Sequence, residues 1–135
     1  MLVKDLSGAE LDKWVALSLG YKVRAYSVKA PDMPDGWFVI DDGDVIATVG
    51  VPAAINSISW STEWRAGGPL IEKYEIFLEP LGDENDKCCG WKAGAALMFF
   101  DGELVSDGPI EMGDTPLIAA MRCIVSAKFG DEANE

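Results

Sequence analysis

The chain contains no histidine. That absence excludes Ser–His–Asp and Cys–His activation of a nucleophile, imidazole acid–base catalysis and every zinc site with a histidine ligand. Basic residues are scarce: 11 Lys and Arg stand against 23 Asp and Glu, for a net charge of −12. Phosphate neutralisation needs a basic face, so no nucleic-acid partner is expected, and anionic membrane surfaces are disfavoured too. The sign of the charge favours solubility and a cationic or protein partner. Long apolar runs are missing, and the longest, Ala95-Ala96-Leu97-Met98-Phe99-Phe100, has strand length and falls far short of a span. The start, Met1-Leu2-Val3-Lys4-Asp5-Leu6-Ser7, lacks a sustained apolar core and reads as no signal peptide. The three cysteines, Cys88, Cys89 and Cys123, make an odd set, and the adjacent pair is poorly placed to bridge. No disulfide framework is expected, and a reducing cytoplasm is the natural compartment. No cofactor is called for.

What is present suits one domain. A length of 135 residues with 49% hydrophobic and 25% charged side chains is globular composition with enough chain to bury a core. A first helix is predicted from Gly8 to Leu19. Ser7 and Glu10 have capping-box spacing, Leu6 and Leu11 that of a hydrophobic staple, and Gly20 supplies the stop. Leu11, Trp14, Val15 and Ser18 fall at helical spacing, which makes Trp14 a core anchor. Tyr21 to Lys29 reads as an exposed or edge strand, followed by the breaker cluster Pro31 to Gly36. Trp37–Ile40 and Asp44–Val49 flank Asp41-Asp42-Gly43 and predict a hairpin with an Asp-Gly turn. Gly50 to Asn56 reads as loop.

Leu70 to Leu78 alternates imperfectly. Leu70, Tyr74, Ile76 and Leu78 share one face of a half-buried strand, which Glu72 interrupts. Pro80 to Gly90 is a polar excursion, and Trp91 to Phe100 reads as one strand that turns at Asp101-Gly102 and returns antiparallel over Glu103 to Ser106. A last helix has Thr115 as N-cap, Pro116 at its first position and Gly130 as C-cap. Leu117, Ile118, Met121, Ile124 and Val125 form its apolar stripe, with Lys128 snorkelling at the end. The expected fold is α+β: a single domain with a mostly antiparallel sheet of five or six strands and an N-terminal and a C-terminal helix packed on it.

The segment richest in recognition chemistry is Ser61-Thr62-Glu63-Trp64-Arg65-Ala66-Gly67-Gly68-Pro69-Leu70-Ile71. Read as a turn before a strand, it makes Ser61, Thr62, Trp64, Arg65, Gly67 and Gly68 candidate ligand-binding residues. Gly67 and Gly68 would aim backbone N–H groups as a nest, Arg65 would supply a planar fork, Trp64 a stacking face, and Ser61 and Thr62 hydroxyl donors. The competing reading is a tight turn with Trp64 in the core and Arg65 snorkelling outward. Cys88 and Cys89 lie near Lys87 and Lys92 and can be read as thiolates or soft-metal ligands, with Asp86 as a further ligand, while Cys123 reads as a small buried hydrophobe. The acidic runs Asp41–Asp44 and Asp83–Asp86 carry enough oxygens for a divalent cation but lack EF-hand spacing, and turn chemistry explains both.

Three blocks carry a resemblance: residues 6–16 (LSGAELDKWVA), residues 61–72 (STEWRAGGPLIE), and residues 113–123 (GDTPLIAAMRC) leading into 128–132 (KFGDE). Their order and character resemble the NinX-like family of small proteins encoded by tailed phages and prophages. The blocks span nearly the whole chain, although Tyr21 to Asn56 matches no part of the pattern. The resemblance implies one NinX-like domain over residues 1–135 and a phage accessory protein acting in the host cytoplasm. It implies no activity and carries over no catalytic residue.

Exclusion and resemblance together predict a non-enzymatic protein that acts by binding a host protein or a small host metabolite or signal. Two rivals are an enzyme using carboxylates alone, which needs two buried acids facing one cleft, and an acidic nucleic-acid mimic, which needs its acids in a row. A homo-oligomer with Leu2, Trp37 and Phe38 in an apolar contact patch is a further alternative.

Overall fold

A computed structural model describes residues 2–25, 36–50, 56–82, 88–95, 97–100, 103–106 and 108–134. Predicted features at 26–29, 31–35, 51–55, 83–87 and 101–102 lie outside the described residues, as do the side chains of Cys88 and Cys89. In chain order the elements are a 3-10 turn at Val3–Asp5, α1 (Gly8–Ser18), β1 (Lys22–Ala25), β2 (Trp37–Asp41), β3 (Asp44–Val49), α2 (Trp64–Lys73), β4 (Phe77–Gly82), β5 (Cys88–Gly94), β6 (Leu97–Phe100), β7 (Glu103–Ser106), β8 (Ile110–Gly113) and α3 (Pro116–Phe129).

The fold is α+β, but its strands do not form one sheet. The described strands divide into a three-stranded sheet β1-β2-β3, a second three-stranded sheet β4-β5-β8 and the separate pair β6-β7, with every pairing antiparallel. The reason lies in α3. Its buried residues, among them Leu117, Ala120, Met121, Cys123, Ile124 and Val125, cover more of the helix than one stripe. Such a helix needs cover on two sides. It packs on β5 and β8 on one side and on α1 on the other, while α1 packs in turn on the β1-β2-β3 sheet. Trp14 anchors the helix pair from the core, edge-on to Phe129 with ring centroids 5.2 Å apart.

Local signals explain α3 and the first hairpin. Thr115 Oγ1 accepts the Ile118 N–H at 3.1 Å, and Pro116 occupies the first helical position. Asp41 pairs with Asp44 across the two-residue loop Asp42-Gly43, whose φ values of 51° and 85° make the turn expected of Asp-Gly. At α1, Leu6 and Leu11 are both fully buried, as a staple requires. The capping box does not form. Ser7 occupies the N-cap, but its side chain makes no cap hydrogen bond, and Gly8 enters the helix at φ 56°. That left-handed first residue turns the hydroxyl away from the first-turn amides. Glu10 Oε2 is left buried with no partner.

The largest revision falls on residues 64–78. Trp64–Lys73 is a helix, and the strand predicted over 70–78 begins only at Phe77. Likewise the single strand predicted over 91–100 is broken between Gly94 and Leu97. Two helix ends show why α1 was legible and α2 was not. Both close in a Schellman motif. In α1, Tyr21 N donates to Ala16 O at 3.1 Å and Gly20 N to Leu17 O at 3.1 Å, with Gly20 at φ 93°. In α2, Ile76 N donates to Ile71 O at 3.0 Å and Glu75 N to Glu72 O at 3.3 Å, but the left-handed position, at φ 53°, is Glu75. A glutamate there gives no stop signal and holds a conformation in which its Cβ is crowded. Glu75→Gly is therefore expected to raise stability by about 1 kcal/mol, read as a higher denaturation midpoint at unchanged slope. A loss of stability would show that Glu75 does not adopt this conformation in solution.

Candidate functional site

The site begins with a carboxyl that the sequence reading passed over. Asp12 lies on α1 and is only 2% exposed. Its Oδ1 accepts the Ser61 backbone N–H at 2.8 Å, and its Oδ2 accepts the Ser59 hydroxyl at 3.0 Å. Burial pushes the Asp12 carboxyl above its ordinary pKa, and the hydrogen bonds from Ser61 and Ser59 draw it back only in part. Asp12 thus holds the chain segment that leads into α2. Ser59 also bonds the Thr62 hydroxyl, and its carbonyl accepts the Glu63 N–H at 3.0 Å. Trp60, between the two serines, is buried in the core.

With its lead-in fixed, α2 starts at Trp64 and closes its first turn by Gly67 N donating to Glu63 O at 2.9 Å. The two glycines form no nest, since both lie inside the helix and neither has positive φ. Gly67 serves close packing: a Cβ there would sit 2.4 Å from the Trp60 carbonyl oxygen and 2.7 Å from Leu117 Cδ2. At Gly68, beyond its chain neighbours, a Cβ would meet only the Trp64 ring, at 3.9 Å. Pro69 removes one helical donor, so the Arg65 carbonyl loses its partner four residues on.

The consequence is an aromatic and a guanidinium presented side by side. Trp64 is 55% exposed, which rules out the core position allowed by the competing reading. The Arg65 side chain is 91% exposed and reaches Glu63 at 3.6 Å, a solvated contact of little energetic weight. A cleft of about 200 Å³ opens beside Trp64, with Ser61 and Thr62 on one side and Thr115, Pro116 and Leu117 on the other. The structure therefore brings Ser61, Thr62 and Trp64 to one cleft, sets Arg65 on the neighbouring surface and places Gly67 under the helix. Ser61 is 1% exposed, and its hydroxyl has no hydrogen-bond partner of good geometry, though it lies near enough to Asp12 to favour the carboxylate.

The missed residues left faint signals. Ser57, Ser59 and Ser61 alternate in the sequence, but the chain turns over Trp60–Thr62, so a strand-like period does not carry to Ser61. Asp12 precedes Ala16 by one helical turn, and Ala16 is fully buried. Neither signal connects residues that far apart in sequence.

The other candidates resolve differently. Cys123 is fully buried, donates to Pro109 O at 3.3 Å and has its thiol pushed up to about 11 by burial and by the negative charge of Glu111. It is a packed thiol. Asp41 and Asp44 close the β2–β3 turn, and among the described residues no three Cys, Asp or Glu side chains gather to hold a metal ion. Asp12 is the one acid among the described residues that is buried as a whole, and its hydrogen-bond partners include Ser59 and Ser61. Trp37 is partly buried and packs against the core, with Lys13 Nζ 5.2 Å from its ring, and Leu2 is exposed.

A small α+β chain whose described residues present an exposed Trp–Arg corner defines a class rather than an activity. The family model described as "Bacteriophage P22, NinX" matches residues 2–128, and the chain belongs to that phage family. The match runs through residues 21–56, the segment that carries no resemblance of its own. No curated protein matches the chain. No helix among the described residues is long and apolar enough to cross a membrane.

Proposed function

We propose that this phage protein acts by binding a host protein in the cytoplasm, without catalysis, and that the Trp64–Arg65 corner is the point of contact. The observation that carries this reading is the exposure of Trp64 on a helix start that Asp12 and Gly67 hold in place. Trp and Arg are the residue types that dominate protein–protein binding energy when a partner desolvates them. Size favours a protein over a metabolite here. The adjoining cleft of about 200 Å³ is smaller than the roughly 300–1,000 Å³ of ligand pockets, so it accepts a side chain of a partner. The net charge of −12 steers a partner with a basic surface.

The test is capture from host lysate followed by titration of the purified partner. Trp64→Ala is expected to weaken binding by about 30-fold or more, and Arg65→Ala by about tenfold. Both should leave the unfolding midpoint within about 0.5 kcal/mol of wild type, because neither side chain is buried. Undiminished affinity in both variants would place the contact elsewhere.

A further inference from the structure

Among the described strands, β8 pairs only with β5 and forms one edge of the second sheet. A Cβ at Gly113 would meet Ile118 and Ala119, so Gly113 and, by alternation, Glu111 face α3. Ile110 and Met112 face the other way, and both are exposed, Met112 to 57%. Leu2, also exposed, lies beside Ile110. Two clefts of about 420 and 370 Å³ run along this apolar strip and share Lys4, Ile110 and Glu111. The charges between and beyond them are divided by sign. Arg122 stands at the Met112 end, where its Nη1 donates to Met112 O at 2.7 Å and its Nε to Leu6 O at 2.9 Å. Asp131 lines only the cleft at the Leu2 and Ile110 end. Neither Arg122 nor Asp131 is in an ion pair within the described chain. Lys4 and Glu111, common to both clefts, offset one another between the two ends, and Asp114 is the lining charge left over. Lys92, opposite Met112 on β5, is held by Glu79 at 3.0 Å.

We propose that this strip is the interface with a second copy of the chain, the two β8 strands running antiparallel about a two-fold axis at Glu111. Such an axis lays Ile110 of each copy on Met112 of the other and sets Asp131 of each against Arg122 of the other. The sign division along the strip is what selects the occupant. An isologous contact has to be complementary to itself, and a surface that is apolar at its centre and opposite in charge at its two ends meets that requirement when it is turned over. A partner with a basic surface, which the net charge of −12 attracts, would meet Lys4 and Arg122 here. With three exposed apolar side chains from each copy the contact is small, so the dimer is a weak one, with a Kd of about 10–100 µM. The strip shares no residue with the cleft beside Trp64, so the two surfaces stand or fall separately.

The experiment follows the full chain by sedimentation velocity from about 5 to 500 µM, a range that brackets this Kd. A monomer–dimer equilibrium is expected. Met112→Asp and Ile110→Asp, each at an exposed position, should each weaken the dimer by about 30-fold or more without unfolding the chain and without altering partner capture at Trp64. Asp131→Lys separates the specific pair from bulk charge. It relieves repulsion between two acidic chains, yet it is expected to weaken the dimer about threefold or more, because the new lysine faces Arg122 of the second copy. Asp42→Lys, on the β2–β3 turn, makes the same change in net charge and should not weaken the dimer. The proposal is overturned if the chain stays monomeric across the range, if the dimer survives Met112→Asp and Ile110→Asp, or if Asp131→Lys tightens it.

Discussion

Gly67→Ala is expected to destabilise the protein by about 2 kcal/mol or more, while Gly68→Ala, one residue on, changes its stability by less than about 1 kcal/mol. Both glycines sit in the interior of α2, where alanine is the better helix former. At Gly68 that preference is set only against Pro69, whose ring crowds the Cβ of a helical residue before it, since beyond the chain neighbours a Cβ would meet only the Trp64 ring at ordinary contact distance. At Gly67 the same preference is overwhelmed. The added methyl would overlap the Trp60 carbonyl oxygen at 2.4 Å, and a backbone oxygen cannot swing aside as a side chain can. Trp60 is itself buried, and the residues on either side of it are bonded to Asp12, so the strain has to move α2 as a body. Thermal unfolding should therefore separate the two variants, with Gly67→Ala down by ~6 °C or more and Gly68→Ala within ~3 °C of wild type. Trimming Leu117 to alanine in the Gly67→Ala background should recover only part of the loss, since it relieves the contact at 2.7 Å and leaves the carbonyl. Equal midpoints for the two single variants would mean that α2 does not approach Trp60 closely. A loss at Gly68 as large as that expected at Gly67 would favour the turn-and-strand reading of this segment.

That contrast also explains what the sequence made legible. α1 and α3 are written in local terms: Gly20 at the first helix's end, Thr115 and Pro116 at the last helix's start, and Gly130 beyond it. Each signal acts within a few residues of the backbone groups it satisfies, so it survives without knowledge of the fold. α2 has no such markers. Its N-cap, Glu63, makes no side-chain cap, its interior holds Gly67, Gly68 and Pro69, and its left-handed exit is a glutamate. It is a helix because close packing of Gly67 against Trp60 and Leu117 favours one, which is a tertiary cause. The sheets follow the same division. The β2–β3 and β6–β7 hairpins join strands adjacent in sequence and were read correctly in place. The pairing of β5 with β8 skips β6 and β7, and no local pattern announces it. Of the candidate site, Ser61, Thr62 and Trp64 are legible by residue type, whereas Asp12, 49 positions from Ser61, is not.

Asp12→Ala is expected to cost about 1–3 kcal/mol, and Asp12→Asn to cost far less or to stabilise at neutral pH. Alanine leaves the Ser61 N–H buried without its acceptor. Asparagine keeps a carbonyl oxygen for that N–H, and its amide can donate to the Ser59 hydroxyl, which then accepts. The asparagine variant also removes the cost of burying a charge. Burial holds the Asp12 carboxyl above the ordinary value of 3.8, so across that interval the folded protein binds more protons than the unfolded chain. Stability from this group is fully present below the unfolded value and is lost as pH rises through the folded one. Wild type should therefore lose stability relative to Asp12→Asn as pH climbs from about 3 to 7. The comparison cancels the general relief of acidic self-repulsion that both proteins share at low pH. Parallel stability curves for the two would show that the carboxyl is solvated and not seated on Ser59 and Ser61. The same pair separates support from contact at the proposed Trp64–Arg65 corner. Asp12 does not line the cleft beside Trp64, so any loss of partner affinity in Asp12→Ala that Asp12→Asn restores must come from the position of α2. A Trp–Arg surface is a specific one only while a buried side chain on another helix keeps it in register.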